Sequence, residues 1–250
     1  MVVLLTNDDG YGAAGLEVLA KTLACVHEVW VVAPDRDRSG VSHGFTMSEP
    51  LRIKKMGERM FKCSGLPANC TDVGTKKLMG KTPDAVIAGI NRGANIGTDI
   101  LYSGTAAGAR QASLHGIPGI AVSLESDTGE WNYDPLARFV CDNLEKLVTL
   151  CERDVFININ AQDAPSYAGW KMTVPSRRDY NDSAQLIDAP DGHVYSFFQG
   201  GDINTPRESD NDYNAVQEGF ISISRVLSQP CGARTAEIPA DFFGGDMFCR

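Results

Sequence analysis

The first ten residues of the chain read Met1-Val-Val-Leu-Leu-Thr-Asn7-Asp8-Asp9-Gly10. The apolar run from Val2 to Leu5 is short and unbroken, which is typical of a strand buried on both faces of a parallel sheet. Three polar side chains follow at once, where that strand is expected to end. Ligands of open α/β sheets bind outside the carboxyl ends of the strands. We therefore expect a binding site at the end of this first strand.

Asp8 and Asp9 supply two adjacent carboxylates at this position. Like charges in a crevice repel each other unless a cation lies between them. Hard oxygen ligands of this kind suit a divalent metal ion. The competing interpretation is a solvated turn, in which both side chains bond to their own backbone. The choice between the two depends on the remainder of the chain.

The residues that follow predict a βαβ unit. Leu16, Leu19, Ala20 and Leu23 recur at helical spacing, and the apolar residues 28–33 form a second expected strand. Further strands are expected over residues 83–90, 118–123 and 155–159, with a hairpin of 51–53 and 60–63 across Gly57, and further helices over 67–79, after Ser103 and over 135–150. This alternation of strands and helices predicts an α/β fold with a mostly parallel sheet.

Two more polar segments follow predicted strands, and we expect them at the same edge of the sheet. Asn91 and Asn95 are interleaved with glycines after the strand over residues 83–90. Asparagine offers a neutral oxygen to a metal or an amide donor to an anion. Ser39 and Gly40 lie in the loop after the second strand, where a hydroxyl and backbone N–H groups can approach a ligand closely. Both segments are therefore candidate parts of the site.

Ser103 and Thr105 stand at the expected start of a helix made of small residues. Hydroxyl side chains at this position accept hydrogen bonds from the first N–H groups of the helix. The same helix end favours an anion such as phosphate. Capping alone is the other explanation of these two hydroxyls, and it is compatible with the first.

Gly10, Gly12 and Gly15 happen to spell the G-x-G-x-x-G fingerprint of dinucleotide-binding proteins. Asp35 lies near the distance expected of the acid that binds the ribose. The two aspartates that stand immediately before this turn repel a bare pyrophosphate unless a cation intervenes. A dinucleotide-dependent oxidoreductase is therefore a less favoured alternative.

The composition excludes some classes of partner. A net charge of −9 argues against binding to a nucleic-acid duplex or to an anionic membrane, since both need a basic surface. No apolar run approaches the ~20 residues of a membrane span, and no signal segment precedes the first strand. The seven cysteines contain no Cys-x-x-Cys pair and suit a reducing compartment. A cytoplasmic location is expected.

Six motifs stand in a recognisable order along the chain. They are Thr6-Asn-Asp-Asp-Gly10, Ala33-Pro-Asp35 with Ser39-Gly40, Ser64-Gly-Leu-Pro-Ala68, Gly89-Ile-Asn-Arg-Gly-Ala-Asn95-Ile-Gly97, Tyr102-Ser-Gly-Thr105 and Asp212-Tyr-Asn-Ala-Val-Gln-Glu-Gly-Phe-Ile-Ser-Ile-Ser224. Together they resemble the SurE family, the stationary-phase survival proteins, which are metal-dependent 5′/3′-nucleotidases. Two departures concern one loop: Asp37 stands where the family usually has asparagine, and residues 42–45 continue atypically. These departures leave the substrate contacts of the loop undetermined, but they do not affect the prediction of a metal.

The resemblance implies a Rossmann-like α/β core with helices on both faces of the sheet, and one divalent metal, Mn²⁺ or Mg²⁺, per subunit. By position, the metal ligands are Asp8, Asp9, Ser39 and Asn91. The residues expected to contact substrate or phosphate are Ser39, Gly40, Asn91, Asn95, Ser103, Gly104 and Thr105. The residues expected to act in catalysis are Asp8, Asp9, Asn95, Ser103 and Thr105.

The expected function is hydrolysis of nucleoside 5′- and 3′-monophosphates to nucleoside and phosphate by a metal-activated water. A covalent aspartyl-phosphate is the mechanistic alternative. A nucleotide sensor that binds without turnover is the functional alternative.

We expect residues 1–250 to form a single domain, with the Rossmann-like core over 1–160. Residues 161–250 are expected to contain hairpin extensions, a late strand and a C-terminal arm. β-like pieces occur over 170–174 and 193–198, and the resemblance implies that such extensions serve assembly. A homodimer or homotetramer is therefore expected.

Overall fold

The computed structural model of the chain describes residues 1–208 and 210–230. The strands in this part of the chain are β1 (Val2–Thr6), β2 (Glu28–Pro34), β3 (Ile53–Gly57), β4 (Met60–Cys63), β5 (Ala85–Arg92), β6 (Gly119–Glu125), β7 (Val155–Gln162), β8 (Trp170–Thr173), β9 (Asp179–Tyr180), β10 (Ser183–Asp188), β11 (Val194–Gln199), β12 (Ile203–Asn204) and β13 (Ile221–Leu227). The α-helices are α1 (Ala14–Leu23), α2 (Pro67–Val73), α3 (Gly104–Leu114), α4 (Asp134–Leu150) and α5 (Asp212–Gln217).

The central sheet has nine strands in the order β3-β4-β2-β1-β5-β6-β7-β13-β8. All neighbouring pairs from β4 to β7 are parallel. β3 runs antiparallel to β4, and β13 runs antiparallel to β7 and parallel to β8. The predicted mostly parallel α/β sheet is confirmed.

Helices cover both faces of this sheet, because alternate side chains of a strand point to opposite faces. Val3 and Leu5 of β1 belong to a core cluster with residues of α1 and α4. Leu4, between them, packs in a second cluster that includes Cys70 of α2 and Ala112 of α3. A fully buried leucine contributes about 2 kcal/mol to stability. The apolar run of β1 therefore holds this strand at the centre of the fold.

Two elements differ in detail from the sequence-based prediction. The hairpin strand expected over residues 51–53 is β3, Ile53–Gly57, because its pairing with β4 extends through Gly57. The helix expected over residues 67–79 is α2 followed by a π-helical turn, Gly74–Leu78. A Cβ atom at Gly74 would lie 2.7 Å from Cδ2 of Leu4. The glycine thus lets this turn lie close against the sheet.

The late part of the chain contains the predicted hairpin extension. β10 and β11 pair antiparallel, and every residue of both strands is exposed. β9 and β12 form a short ladder at the base of this hairpin. β8 and β13, by contrast, belong to the central sheet. The expected boundary at residue 160 stays a prediction, and the expected C-terminal arm beyond residue 230 lies outside the described residues.

No helix within residues 1–208 and 210–230 is long and apolar enough to cross a membrane.

Candidate active site

The carboxyl ends of β1, β2 and β5 meet at one edge of the sheet. β1 and β5 are parallel, with Thr6 opposite Ala88, so the residues that follow both strands emerge together. The loop after β2 is joined to them by the N–H group of Arg38, which donates to the carbonyl oxygen of Asp8 at 2.7 Å. Asp8, Ser39 and Asn91 consequently line one cleft of about 590 Å³.

Asp8 is a buried carboxylate, with only 3% of its surface exposed. Burial raises the pKa of Asp8 because the ionised form loses hydration. The Thr105 hydroxyl donates to Oδ1 of Asp8 and partly offsets this rise in pKa. Gly104 lies so close that a Cβ atom there would stand 2.9 Å from Oδ2 of Asp8. The start of α3 therefore fixes the orientation of this carboxylate.

Asp9 lines a second hollow and not the cleft that Asp8, Ser39 and Asn91 share, although all four were predicted as metal ligands. Its Oδ2 atom accepts a hydrogen bond from the N–H group of Arg92 at 3.2 Å. Burial and the neighbouring charge of Asp8 raise the pKa of Asp9 to about 6. The second hollow has a volume of about 470 Å³, and Asp9 lines it together with Asp37, Arg92, Trp131 and Tyr133.

Ser39 lies in the loop that closes one side of the cleft. Its backbone N–H group and its hydroxyl both donate to Oδ1 of Asp37, at 2.7 Å and 2.6 Å. These bonds lower the pKa of Asp37. Because the proton of the hydroxyl is directed to Asp37, its oxygen lone pairs remain available to a cation. Gly40 also lines the cleft.

Asn91 uses its side-chain nitrogen in a hydrogen bond to the backbone. Nδ2 donates to the carbonyl oxygen of Gly93 at 2.9 Å. The side-chain oxygen is therefore the group that Asn91 can offer to a metal.

The four predicted ligands supply oxygen atoms alone, which is the chemistry that Mg²⁺ and Mn²⁺ prefer. Nowhere in residues 1–208 and 210–230 do three or more His, Cys, Asp or Glu side chains form a metal-binding cluster. A metal here depends on two carboxylates complemented by a hydroxyl and an amide oxygen. Asn7, the residue before Asp8, also has a buried Oδ1 atom without a hydrogen-bond partner, although it is not among the residues that line the cleft. These donors fit a hard divalent cation, since a cation would relieve the repulsion between Asp8 and Asp9.

Ser103 is the N-cap of α3. Its Oγ atom accepts from the N–H group of Ala106 at 3.0 Å, and the side chain is 5% exposed. This bond uses a lone pair, so the hydroxyl proton can still be donated to a ligand. Ser103 lines the same cleft as Asp8. The expected anion position at the start of the helix is thus adjacent to the expected cation position.

Thr105 and Gly104 do not line the cleft, although direct phosphate contact was expected of both. The Thr105 side chain is fully buried, and its hydroxyl reaches Asp8 instead. Helical side chains lean back toward the helix N-terminus, and the absence of a side chain at Gly104 lets the Asp8 carboxylate approach. Thr105 is therefore a residue that positions Asp8.

Asn95 is held in place by polar residues of β6 and β7. Its N–H group donates to Oδ1 of Asn160 at 2.7 Å, and its carbonyl oxygen accepts from the amides of Asn158 and Asn160. Its side-chain nitrogen donates to Oγ of Ser123 at 2.7 Å. The Ser123 hydroxyl can accept or donate, so this contact is compatible with either orientation of the Asn95 amide, and Asn95 also lines the cleft.

Comparison with known proteins shows the family to which this chain belongs. The sequence model of the family described as Survival protein SurE matches residues 3–182. The chain belongs to the SurE family.

Curated and solved relatives agree with this assignment. The chain is 40% identical to 5′-nucleotidase SurE of Geotalea uraniireducens over 231 residues, which covers 90% of this chain and 92% of that protein. It is 49% identical to 5′-nucleotidase SurE of Treponema pallidum over 175 residues, or 67% of this chain and 94% of that protein. The crystal structure of SurE protein from Aquifex aeolicus superposes with a TM-score of 0.79 at 32% identity, covering 92% of this chain and 94% of that one.

In this SurE-family chain, the glycine fingerprint has a packing role. A Cβ atom at Gly15 would overlap the carbonyl oxygen of Ile90, so the glycine lets α1 approach β5. Asp35, the expected ribose acid of the alternative reading, forms an ion pair with Arg38 at 3.7 Å. The presence of Gly15 and of Asp35 is thus explained by contacts within the protein, without a bound dinucleotide.

The cleft also contains residues that the sequence did not reveal. The lining residues absent from the sequence-based site are Arg92, Gly93, Ala94, Asp99, Tyr102, Tyr180, Asp182, Phe198, Gly200, Gly201 and Ile203. Tyr102 directly precedes Ser103 in the sequence, so its place in the cleft could have been predicted from that of Ser103. The residues after position 179 come from the hairpin region, and no local motif marks them.

Proposed function

We propose that this chain is a metal-dependent phosphomonoesterase that hydrolyses nucleoside 5′- and 3′-monophosphates to nucleoside and phosphate. One relationship carries the proposal: Asp8 and Ser103 line the same cleft. A buried carboxylate that requires a cation lies beside a helix N-terminus that favours an anion. A phosphomonoester together with a divalent cation satisfies both requirements. The relatives named 5′-nucleotidase support the nucleotide as substrate.

The metal would be held by Asp8, Asp9, Ser39 and Asn91, one Mn²⁺ or Mg²⁺ ion per subunit. When bound, such an ion supplies Lewis acidity to a phosphoryl oxygen and lowers the pKa of a coordinated water toward neutrality. The burial of Asp8 and the raised pKa values of both aspartates are the features of the structure that support this ligand set.

The start of α3 would bind the phosphoryl group. The Ser103 hydroxyl and the first N–H groups of the helix donate to phosphoryl oxygens, and Asn95 assists with its side-chain amide. Loss of one such donor typically costs about 3 kcal/mol of transition-state stabilisation. Thr105 contributes indirectly, since its hydroxyl keeps Asp8 oriented.

Asp8 or Asp9 would accept a proton from the attacking water. Oδ1 of Asp8 already accepts from Thr105, whereas Asp9 is only partly buried. Without a metal, burial and the charge of Asp8 raise the pKa of Asp9 to about 6, and a bound cation would lower this pKa again because it favours the ionised carboxylate. A covalent aspartyl-phosphate remains the alternative to direct attack by water.

Assembly into a homodimer or homotetramer completes the proposal. The hairpin β10–β11 exposes Leu186, Val194 and Phe198 at 67%, 60% and 74%. Exposed apolar patches of this kind mark interaction surfaces. A cytoplasmic location fits the cysteines of the described region, which are free thiols.

The deciding experiment is phosphate release from a panel of phosphomonoesters with Mn²⁺, Mg²⁺ or EDTA. We expect turnover of nucleoside monophosphates that depends on the metal and is abolished by EDTA. Saturable binding of a nucleotide without phosphate release would favour the sensor. Titration with NADH tests the oxidoreductase alternative, and a change in nicotinamide fluorescence that saturates at micromolar concentration would support it.

A further inference from the structure

Asp212 is a buried carboxylate that lies outside the cleft. It is the first residue of α5, it opens the late sequence motif over residues 212–224, and its side chain is fully buried. Burial raises the pKa of Asp212 because the ionised form loses hydration, and hydrogen bonds from Ser176 and Gly97 oppose this rise. An acidic side chain is almost never fully buried unless it has partners. The partners of Asp212 therefore indicate its role.

These partners are backbone N–H groups of two separate segments. Oδ2 of Asp212 accepts from the N–H group of Gly97 at 2.8 Å, and Oδ1 accepts from that of Ser176 at 2.8 Å. The two segments are in close contact, because a Cβ atom at Gly97 would lie 1.9 Å from the carbonyl oxygen of Ser176. Asp212 thus joins the loop that follows β5 to the chain that leads into β9.

The loop over residues 93–97 has all five of its backbone N–H groups bonded within the protein. Their acceptors, in chain order, are the carbonyl oxygen of Leu124 and the side-chain oxygens of Glu125, Asn160, Asp99 and Asp212. The 93–97 loop therefore presents the Asn95 side chain to the cleft, while its N–H groups are used to hold the loop in place.

Glu125, the last residue of β6, is the second carboxylate that holds this loop. Its Oε2 atom accepts from the N–H group of Ala94 at 3.1 Å. Ala94 precedes Asn95 by one residue, and Gly97 follows it by two, so the two carboxylates hold Asn95 from both sides. Neither Glu125 nor Asp212 is among the described residues that line the cleft. Both can therefore act on a ligand through the 93–97 loop.

We propose that Asp212 and Glu125 are positioning residues of the phosphatase, which hold the 93–97 loop from both sides and so direct the Asn95 side chain at the phosphoryl group. This inference rests on the proposed nucleotidase function. A loop that contains two glycines has a large conformational freedom to lose, and a catalytic group misplaced by about 1 Å can cost about 10²-fold in rate. Two charge-assisted hydrogen bonds to the backbone supply this restraint.

The competing explanation is that Asp212 only stabilises α5, because its Oδ1 atom also accepts from the N–H group of Tyr213 at 2.9 Å. The helix has other anchors, however. The N-cap Asn211 accepts from the N–H group of Asn214 at 2.8 Å, and Val216 is buried with 1% of its surface exposed. The bonds from Gly97 and Ser176 are additional to those that form the helix.

The test is a double-mutant cycle between Asp212→Asn and Asn95→Ala, measured as kcat and KM for AMP at saturating Mn²⁺. The amide keeps the shape of the side chain but offers one oxygen in place of two, so one segment loses its acceptor. Glu125→Gln, at a half-buried position, is combined with Asn95→Ala in the same way. The controls are Val216→Ala, which weakens the packing of α5, and Glu130→Gln, at an exposed position. Calorimetric Mn²⁺ binding and amide hydrogen exchange are measured on the same proteins.

We expect Asp212→Asn to lower kcat by at least about tenfold, with KM and Mn²⁺ affinity close to those of the wild type. In the Asn95→Ala background the same substitution should cost less than about twofold, because the group that it positions is gone. Glu125→Gln should show the same coupling with a smaller loss. Val216→Ala should lower the free energy of unfolding and keep kcat, and Glu130→Gln should keep both.

Two kinetic results would overturn the inference. Additive losses in the double variant, or an equal loss of kcat in Val216→Ala, would show that Asp212 acts on the stability of α5. A fall in Mn²⁺ affinity that matches the fall in turnover would place the effect at the metal. If Asp212→Asn does not fold, the Glu125→Gln cycle decides together with hydrogen exchange in the intact protein, where rapid exchange at the Gly97 and Ser176 amides would contradict the restraint.

Failure of the proposed function gives a different result. Absence of phosphate release by the intact protein overturns the phosphatase. Hydrogen exchange then still decides whether Asp212 holds the loop: faster exchange of the 93–97 amides in Asp212→Asn than in Val216→Ala supports the restraint, and equal exchange overturns it.

Discussion

The Thr105 hydroxyl donates a hydrogen bond to Oδ1 of Asp8, across 97 residues of the chain. Both side chains are buried, with exposed fractions of 0% and 3%. The helix that is expected to bind the phosphate therefore also orients a carboxylate that is expected to bind the metal. Because one element serves both groups, α3 would set the separation between a bound metal and a bound phosphate.

This relationship predicts that Thr105→Val weakens both metal binding and turnover. Removing a hydrogen bond that orients a metal ligand typically costs about tenfold to 100-fold in metal affinity or activity. The loss of the donor also raises the pKa of Asp8 further, so protons compete better with the metal. Calorimetric Mn²⁺ binding and phosphate release are measured together. Thr105→Ser, which keeps the hydroxyl, should retain most of both, and equal losses in the two variants would contradict the role of the hydrogen bond.

Asp8→Asn should lower metal affinity and hydrolysis together, with turnover falling by at least ~10²-fold, because the Lewis acid supplies several kcal/mol. The amide keeps the shape of the side chain and removes a buried charge. The metal-free protein should therefore fold, with equal or slightly higher stability. Asp142→Asn, on the exposed side of α4, is the matched control. Wild-type metal affinity and turnover in Asp8→Asn would mean that the carboxylate pair is only a turn.

The metal-free protein should become more stable on acidification, in part through Asp9. The pKa of Asp9 is about 6 in the folded protein and about 3.9 in an unfolded chain. Between these values only the folded state holds the proton, so the contribution is complete below about pH 4 and is lost as the pH rises through about 6. A pKa higher by two corresponds to about 2.7 kcal/mol, and partial exposure of Asp9 reduces the expected effect to about 1 kcal/mol.

Urea unfolding of wild type and Asp9→Asn in EDTA, at pH 5 and pH 7, measures this contribution. The difference in the free energy of unfolding between the two proteins should favour Asp9→Asn more strongly at pH 7 than at pH 5. A difference that does not change with pH would show that Asp9 has an ordinary pKa in the folded protein.

Leu186→Asp should weaken assembly, because it places a charge on the exposed apolar face of the hairpin β10–β11. Leu186 is 67% exposed and contributes little to the stability of one subunit. Light scattering over a range of concentrations should show dissociation toward the monomer at unchanged helix content. Gln185→Glu adds the same charge at an exposed polar position of the same strand and is the control. A wild-type protein that is monomeric at every concentration would exclude the predicted assembly.

The sequence by itself determined the features that depend on neighbours along the chain. The apolar run of β1, the helical spacing of α1 and the polar residues after each strand follow from local periodicity. They are sufficient to predict a parallel sheet and to place Asp8, Asn91 and Ser39 at one edge of it, because parallel strands end on the same side. The N-cap Ser103 was predicted for the same reason, since capping is a local interaction.

Only the tertiary structure decided which distant groups meet at this edge. Asn95 is held by Asn158 and Asn160, which lie 63 and 65 residues away. Thr105 turns to Asp8 rather than to the cleft, and Tyr180 and Phe198 enter the cleft from the hairpin region. These contacts depend on the packing of helices on the sheet and on the path of the hairpin. A period of two or 3.6 residues specifies which face of an element is buried, but it does not specify which residue of a distant element that face will contact.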